Sequence, residues 1–207
     1  MQDIKDKTDN DLVLLVRKDP EALSYVIDRY KGKLDKYISR RTCVSSHDRE
    51  DILQDVFIKI YRNINDYDDK LVFSSWIYRI THNYMIDWYR KNKKHISISL
   101  DADESKLIHI LEDENNKIDN QTLQDREDLD LIKKAIQKLS ADYQEILILK
   151  FFEDKTYEEI SDILKISTSS VGVKINRAKK LLKQKNEAFC DDDIRSSILL
   201  ITFFYLY

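Results

Sequence analysis

Residues 48–64 read Asp48-Arg49-Glu50-Asp51-Ile52-Leu53-Gln54-Asp55-Val56-Phe57-Ile58-Lys59-Ile60-Tyr61-Arg62-Asn63-Ile64, and a single period organises the whole stretch. Ile52, Leu53, Val56, Phe57, Ile60, Tyr61 and Ile64 recur at intervals of three and four, which gathers them on one face of an α-helix. Asp51, Asp55, Lys59 and Arg62 fall outside that stripe, so the helix has an apolar side and a charged side. Asp51 and Asp55 share a face, but no His completes a metal or acid–base arrangement with them. An ordinary charged surface is the simplest reading at this level.

Working outward, Asp19 followed by Pro20 is an N-cap with proline at the first helical position, and Leu23, Val26, Ile27, Tyr30, Leu34, Tyr37 and Ile38 then continue at helical spacing. On the other side a helix is expected to open near Ser74 or Ser75. It runs through Trp76, Ile77, Ile80, Tyr84 and Trp88 and ends in the basic run Arg90, Lys91, Lys93, Lys94. Its residues Asn83, Asp87, Arg90 and Lys94 form one polar stripe beside aromatic side chains. Such groups suit unpaired bases, although Trp76, Tyr84 and Trp88 at this spacing read first as core.

The chain has 207 residues with 2 Gly and 1 Pro, which disfavours collagen-like, hairpin-rich and Gly-loop nucleotide-binding architectures. Its net charge of −3 hides a segregation: 101–130 carries eleven acidic and three basic residues, and 171–185 carries six basic and no acidic ones. The acidic stretch lacks a sustained apolar period and reads as a flexible linker. The expected architecture is therefore all-α: a domain over 1–96, an acidic linker over 97–126, a second small helical domain over 127–186, and an apolar tail over 187–207. Cys43 and Cys190 lack metal-ligand spacing, and His47, His82, His95 and His109 are scattered singly, so no metal, cofactor or enzyme site is expected. With no membrane-length apolar run, the expected location is the cytoplasm.

In the second domain, Leu129, Ile132, Ile136 and Leu139 precede Ser140, a cap for a helix carrying Ile146, Leu147, Leu149 and Phe151. Thr156 and Glu159 then open a short helix with a capping-box pattern. After the turn Lys165-Ile166-Ser167, a last helix sets Val171, Ile175, Ala178 and Leu182 against Ser169, Ser170, Lys174 and Arg177. This is helix-turn-helix spacing. Small Ser169 and Ser170 permit close approach, while Lys174 and Arg177 can reach phosphates or guanine edges in a major groove. The pattern alone equally describes a solvated basic face.

The segment from Asp48 to Tyr61 resembles the region 2 helix of bacterial sigma factors, and Phe73-Ser74-Ser75-Trp76-Ile77-Tyr78-Arg79-Ile80-Thr81-His82-Asn83 through Ile86-Asp87-Trp88-Tyr89-Arg90 resembles the promoter-melting segment of extracytoplasmic-function (ECF) sigma factors. Thr156-Tyr157-Glu158-Glu159-Ile160 with Val171, Lys174, Arg177 and Ala178 is similar to that family's region 4. The resemblance covers about 8–185. It implies a two-domain subunit of RNA polymerase holoenzyme that directs initiation without catalysing it.

The resemblance also implies roles. Asp51, Gln54, Asp55 and Arg62 would contact core polymerase, and Asn83 with the loop from Tyr67 to Phe73 would capture a flipped base of the −10 element. Arg79, Asp87, Arg90 and Lys94 would complete that surface. Ser169, Ser170, Lys174 and Arg177 would read the −35 element. An anti-sigma factor masking the two domains is implied as a further partner. Ser169-Ser170 and Gly172-Val173 depart from the Gly-Thr and Lys-Ser that family members often carry around the recognition-helix valine. The tail Ile198-Leu199-Leu200-Ile201-Thr202-Phe203-Phe204-Tyr205-Leu206-Tyr207 is more apolar than the family's usual terminus and too short to span a bilayer, so packing on a domain or a non-homologous terminus is expected over membrane insertion. A self-sufficient dimeric helix-turn-helix repressor and a helical interaction adaptor are the alternatives, and both predict function without polymerase.

Overall fold

The computed structural model describes residues 6–42, 44–100, 136 and 139–187, and for 93–100 and 183–187 it describes the backbone alone. Cys43, Cys190, the acidic segment 101–126, Leu129, Ile132 and the apolar tail beyond 187 lie outside the described residues. Every regular element among the described residues is helical, as the near absence of Gly and Pro predicts.

Helix α1, Asp9–Lys18, is set by a capping box: the Thr8 hydroxyl accepts the Asp11 N–H at 3.2 Å and the Asp11 carboxylate accepts the Thr8 N–H at 3.0 Å. The Thr8 hydroxyl also donates to the Asp11 carboxylate at 2.7 Å, and this bond first, then the one from the Thr8 N–H, holds the Asp11 carboxyl below its ordinary range. Asp19 then caps a short turn, Pro20–Ala22, through the Glu21 N–H at 3.0 Å, and that turn feeds α2, Leu23–Arg41. Ser45 caps α3, Ser46–Asn63. After the turn Ile64–Asp66, α4 spans Phe73–Leu100. It starts where expected but continues four residues past the expected boundary at 96. Nothing between 89 and 100 is Gly or Pro, and extending a helix adds one hydrogen bond for each residue fixed.

The apolar stripes of these helices close on one another. Leu12, Val13 and Val16 of α1, Val26, Tyr30, Leu34, Tyr37 and Ile38 of α2, Ile52, Leu53, Val56, Phe57 and Ile60 of α3, and Phe73, Trp76, Ile77, Tyr78 and Met85 of α4 are buried. Polar ties fix the helices at their edges. Arg29 pairs with Asp9 at 2.9 Å, and Tyr30, whose hydroxyl pKa burial raises, donates to the same Asp9 carboxylate. Arg49 of α3 pairs with Asp35 of α2 at 2.7 Å.

In the C-terminal part, α5, Ala141–Leu147, begins after Ser140 as expected, but its continuation Ile148–Phe152 is a π-helical turn. That turn closes with Glu153 N–H bonded to the Ile148 carbonyl at 3.1 Å and Lys155 N–H to the Leu149 carbonyl at 2.9 Å, around Asp154 at φ 49°. Helix α6, Tyr157–Leu164, ends at Lys165, also left-handed at φ 55°. Helix α7, Thr168–Glu187, starts where the Ser167 hydroxyl accepts the Ser170 N–H at 3.2 Å. Ile146, Leu147, Ile148, Leu149, Val171, Ile175, Ala178 and Leu182 are buried. By contacts the described residues fall into two units, one holding α1–α4 and residues 158–165, the other the rest of the C-terminal part. No helix among the described residues is long and apolar enough to cross a membrane.

Candidate functional site

Three surfaces carry the residues singled out in the sequence. The first is the outer side of α3. Its apolar face is sealed against the other helices, which forces Asp51, Gln54, Asp55 and Arg62 outward, and all four are exposed. They are not equivalent. Asp55 accepts a hydrogen bond from the Tyr84 hydroxyl of α4, with the Lys59 ammonium 4.9 Å from the Tyr84 ring centroid. Asp55 is therefore tied to the fold as well as facing outward. The structure adds residues that the periodicity missed: Ile58 is 46% exposed, and Tyr61, expected on the sealed stripe, is 40% exposed. With Leu23, Ile27, Leu53, Gln54 and Phe57 they line an open groove of about 500 Å³ between α2 and α3, flanked by Lys31 and Glu50. An apolar trough with a charged margin is a form suited to a protein helix.

The second surface surrounds the start of α4. Tyr67 and Phe73, expected among the residues that bind the −10 element, are only 3% and 2% exposed. Their rings pack on each other at 5.1 Å and both pack on Trp76, at 5.4 and 5.7 Å. Both rings are engaged inside the fold rather than presented to solvent, since an aromatic cluster gains from mutual burial. Burial also raises the Tyr67 pKa. What the cluster does is brace the loop. The Tyr67 hydroxyl donates to the Leu71 carbonyl, and Arg17 of α1 donates to the Tyr67 carbonyl at 2.6 Å, to the Ile64 carbonyl at 3.2 Å and to the Asp69 carboxylate at 3.3 Å. Asp68, Lys70 and Val72 remain exposed on that braced loop. Arg17 carries no motif, and its importance could not be read from the chain.

Farther along α4, Asn83 and Asp87 are exposed, and Arg90 lies 3.7 Å from Asp87. Trp76 is buried as expected, whereas Tyr84 and Trp88, expected in the core, are half-buried; the Trp88 ring meets Tyr89 edge-on at 5.6 Å. Arg79 is engaged internally, 3.8 Å from Asp162 with its side chain 18% exposed. The Lys94 side chain lies outside the described residues.

The third surface is α7. Ser169, Ser170 and Arg177 are exposed along one face. The Ser167 hydroxyl lies 3.0 Å from that of Ser169 and 2.8 Å from that of Ser170, which ties the first turn together. Lys174 departs from the face: its ammonium pairs with Asp142 of α5 at 3.1 Å. Val173, noted in the sequence only as a departure from the family's pattern, and Asn176 stand exposed between the serines and Arg177. Among the described residues no group of three or more His, Cys, Asp or Glu could hold a metal.

The sigma-70 region 2 family model matches residues 26–95 and the sigma-70 region 4 model matches 129–182. RNA polymerase sigma factor SigZ of Bacillus subtilis is 33% identical, over 79% of this chain and 86% of its own length, and ECF RNA polymerase sigma factor SigW of the same organism is 28% identical over 81% and 90%. In fold the chain is similar to CnrH, solved with the cytosolic domain of CnrY, at TM-score 0.63, 19% identity and coverage of 88% of this chain and 99% of that one. It is also similar to RpoE of Bartonella quintana, solved with the anti-sigma factor NepR, at TM-score 0.55, 22% identity and coverage of 78% and 94%.

Proposed function

Because the chain belongs to the sigma-70 family, in its ECF group, and is an RNA polymerase sigma factor, we propose a division of labour among its three surfaces. Residues 1–96 form the polymerase-binding and −10-binding domain, 127–186 the −35-binding domain, and the acidic segment 97–126 tethers them. Asp51, Gln54 and Arg62 dock on core polymerase together with the groove around Phe57, Ile58 and Tyr61. The loop braced by Arg17 and Tyr67, with Val72 at its surface, receives a flipped −10 base. Asn83, Asp87, Arg90 and Lys94 line the strand beside the half-buried Trp88, where extruding a base costs a few kcal/mol and stacking returns about 1–3.

The observation that carries this reading is the two-sidedness of α7: Val171, Ile175, Ala178 and Leu182 seal one side, while the serines and Arg177 stand clear on the other. Two modules that each bind weakly act together because polymerase holds both, an effective-concentration effect that needs no new contact. In this reading the chain is not an enzyme: it lends specificity to the polymerase, in the cytoplasm, without catalysing a step. An anti-sigma partner that masks these surfaces belongs to the same reading, since RpoE of similar fold was solved with the anti-sigma factor NepR.

The test is run-off transcription from genomic fragments with core polymerase, with and without the chain. Transcripts that start at defined positions only when the chain is present support the reading. Core polymerase that neither binds the folded chain nor gains specificity would return the protein to a repressor or adaptor role.

A further inference from the structure

On α7, Val173 is 49% exposed, one turn after Ser169 and Ser170 and one turn before Arg177. Nothing about the fold calls for valine there. It adds little to the core, and a β-branched side chain at a solvated helix position is less favourable than Ala, Lys or Glu. Its neighbour Gly172 has no side chain, which leaves the helix surface low beside the valine; the nearest atom to a Cβ built at Gly172 is the Tyr157 ring at 3.5 Å. The nearest cation in sequence, Lys174, is turned to Asp142. The solvent face of α7 thus presents two hydroxyls, an isopropyl group, the amide of Asn176 and the guanidinium of Arg177 in succession.

That set has a counterpart in the major groove, where base edges offer hydrogen-bonding groups and one apolar feature, the C5-methyl of thymine. We propose that Val173 is a specificity-determining residue whose isopropyl group packs on the methyl of one thymine in the −35 element. This rests on the reading of α7 as the −35 helix. The methyl and the isopropyl group are both removed from water in the contact, and a base edge without the methyl leaves the valine facing polar atoms. Val173 stands near the centre of the exposed face, while the longer Arg177 can reach a phosphate or a guanine edge.

Holoenzyme reconstituted from the full chain and core polymerase is titrated with the promoter duplex recovered by run-off transcription. It is then titrated with duplexes in which each −35 thymine is replaced in turn by deoxyuridine, which lacks only the methyl. At one position the wild-type holoenzyme weakens by roughly fourfold, the factor for burying one methyl-sized group. Val173→Ala weakens by a similar factor on the thymine duplex and is indifferent to the deoxyuridine at that position; Val173→Ile keeps the discrimination. Because Val173 is exposed, the variants fold, and unchanged core-polymerase affinity verifies it. A −35 element without thymine, a wild-type holoenzyme indifferent to every deoxyuridine, or an undiminished thymine preference in Val173→Ala overturns the assignment. If scrambling the whole −35 element changes nothing, the parent reading of α7 fails as well; −35 dependence without a methyl effect removes Val173 alone.

Discussion

The hydroxyl of Tyr84 on α4 donates a hydrogen bond to the Asp55 carboxylate on α3, joining two helices at a point where both residues were expected to do something else. The bond keeps the phenol protonated: burial first, then the hydrogen bond and charge of Asp55, raise the Tyr84 pKa. A tyrosine whose folded pKa lies above its unfolded value contributes stability that is complete below the unfolded pKa, near 10, and is lost as pH climbs toward the folded one. Tyr84→Phe is therefore expected to cost about 1 kcal/mol at neutral pH. It should also flatten part of the stability loss between neutral pH and the alkaline range, to which Tyr30 and Tyr67, also raised, contribute. Urea unfolding of both proteins at pH 8 and near pH 10.5 measures this, and an unchanged alkaline slope in the variant contradicts it.

Arg17 holds the loop before α4 through two backbone carbonyls and Asp69. Arg17→Ala leaves those carbonyls without their donor, at a cost of about 1–3 kcal/mol. Arg17→Lys restores only part of it, because an ammonium cannot span three acceptors as the guanidinium fork does. Permanganate footprinting of promoter opening should show a loss that core-polymerase binding does not share. Full opening with Arg17→Ala would mean that the loop needs no brace.

Asp142 holds Lys174 away from the exposed face of α7. In Asp142→Asn the ammonium is released to reach a DNA phosphate, so promoter affinity at low salt rises and the slope of log affinity against log salt steepens by about one. Titrations at four or five salt concentrations decide the matter; parallel lines for the two proteins show that the Asp142 pairing does not withhold Lys174 from the backbone.

Gly172 lies within α7, where it lowers helix stability, and a Cβ there would meet only the Tyr157 ring at an ordinary 3.5 Å. Gly172→Ala should stabilise the chain by up to about 1 kcal/mol. A lowered thermal midpoint would show instead that the Tyr157 ring cannot accept the added methyl.

Much of the fold was legible because it depends on intervals along the chain. The stripes 52–60 and 171–182 and the Asp19-Pro20 entry appear where period and capping put them, and α5 starts after Ser140 although the Ser140 side chain makes no capping hydrogen bond. The Thr8–Asp11 box carried the same kind of signal and could have announced α1. The π turn after Leu147 and the left-handed Asp154 and Lys165 could not be read, since no glycine marks either position.

The candidate site was legible as a set of helix faces but not as a set of available side chains. Period decides which residues point outward from a helix, and so Gln54, Asn83, Ser169 and Arg177 were identifiable from the chain alone. Whether an outward group is free depends on what another helix brings to it. Asp55 met Tyr84, Lys174 met Asp142, Arg79 met Asp162, and Tyr67 met Trp76. The sequence by itself determined most of the helices and their apolar sides, which rest on local spacing, and the sigma-factor resemblance, which rests on the motifs within 48–61, 73–90 and 156–178. Only the tertiary structure decided which polar and aromatic groups are engaged and that Arg17 braces a loop some fifty residues away, because those contacts join positions whose separation along the chain has no period.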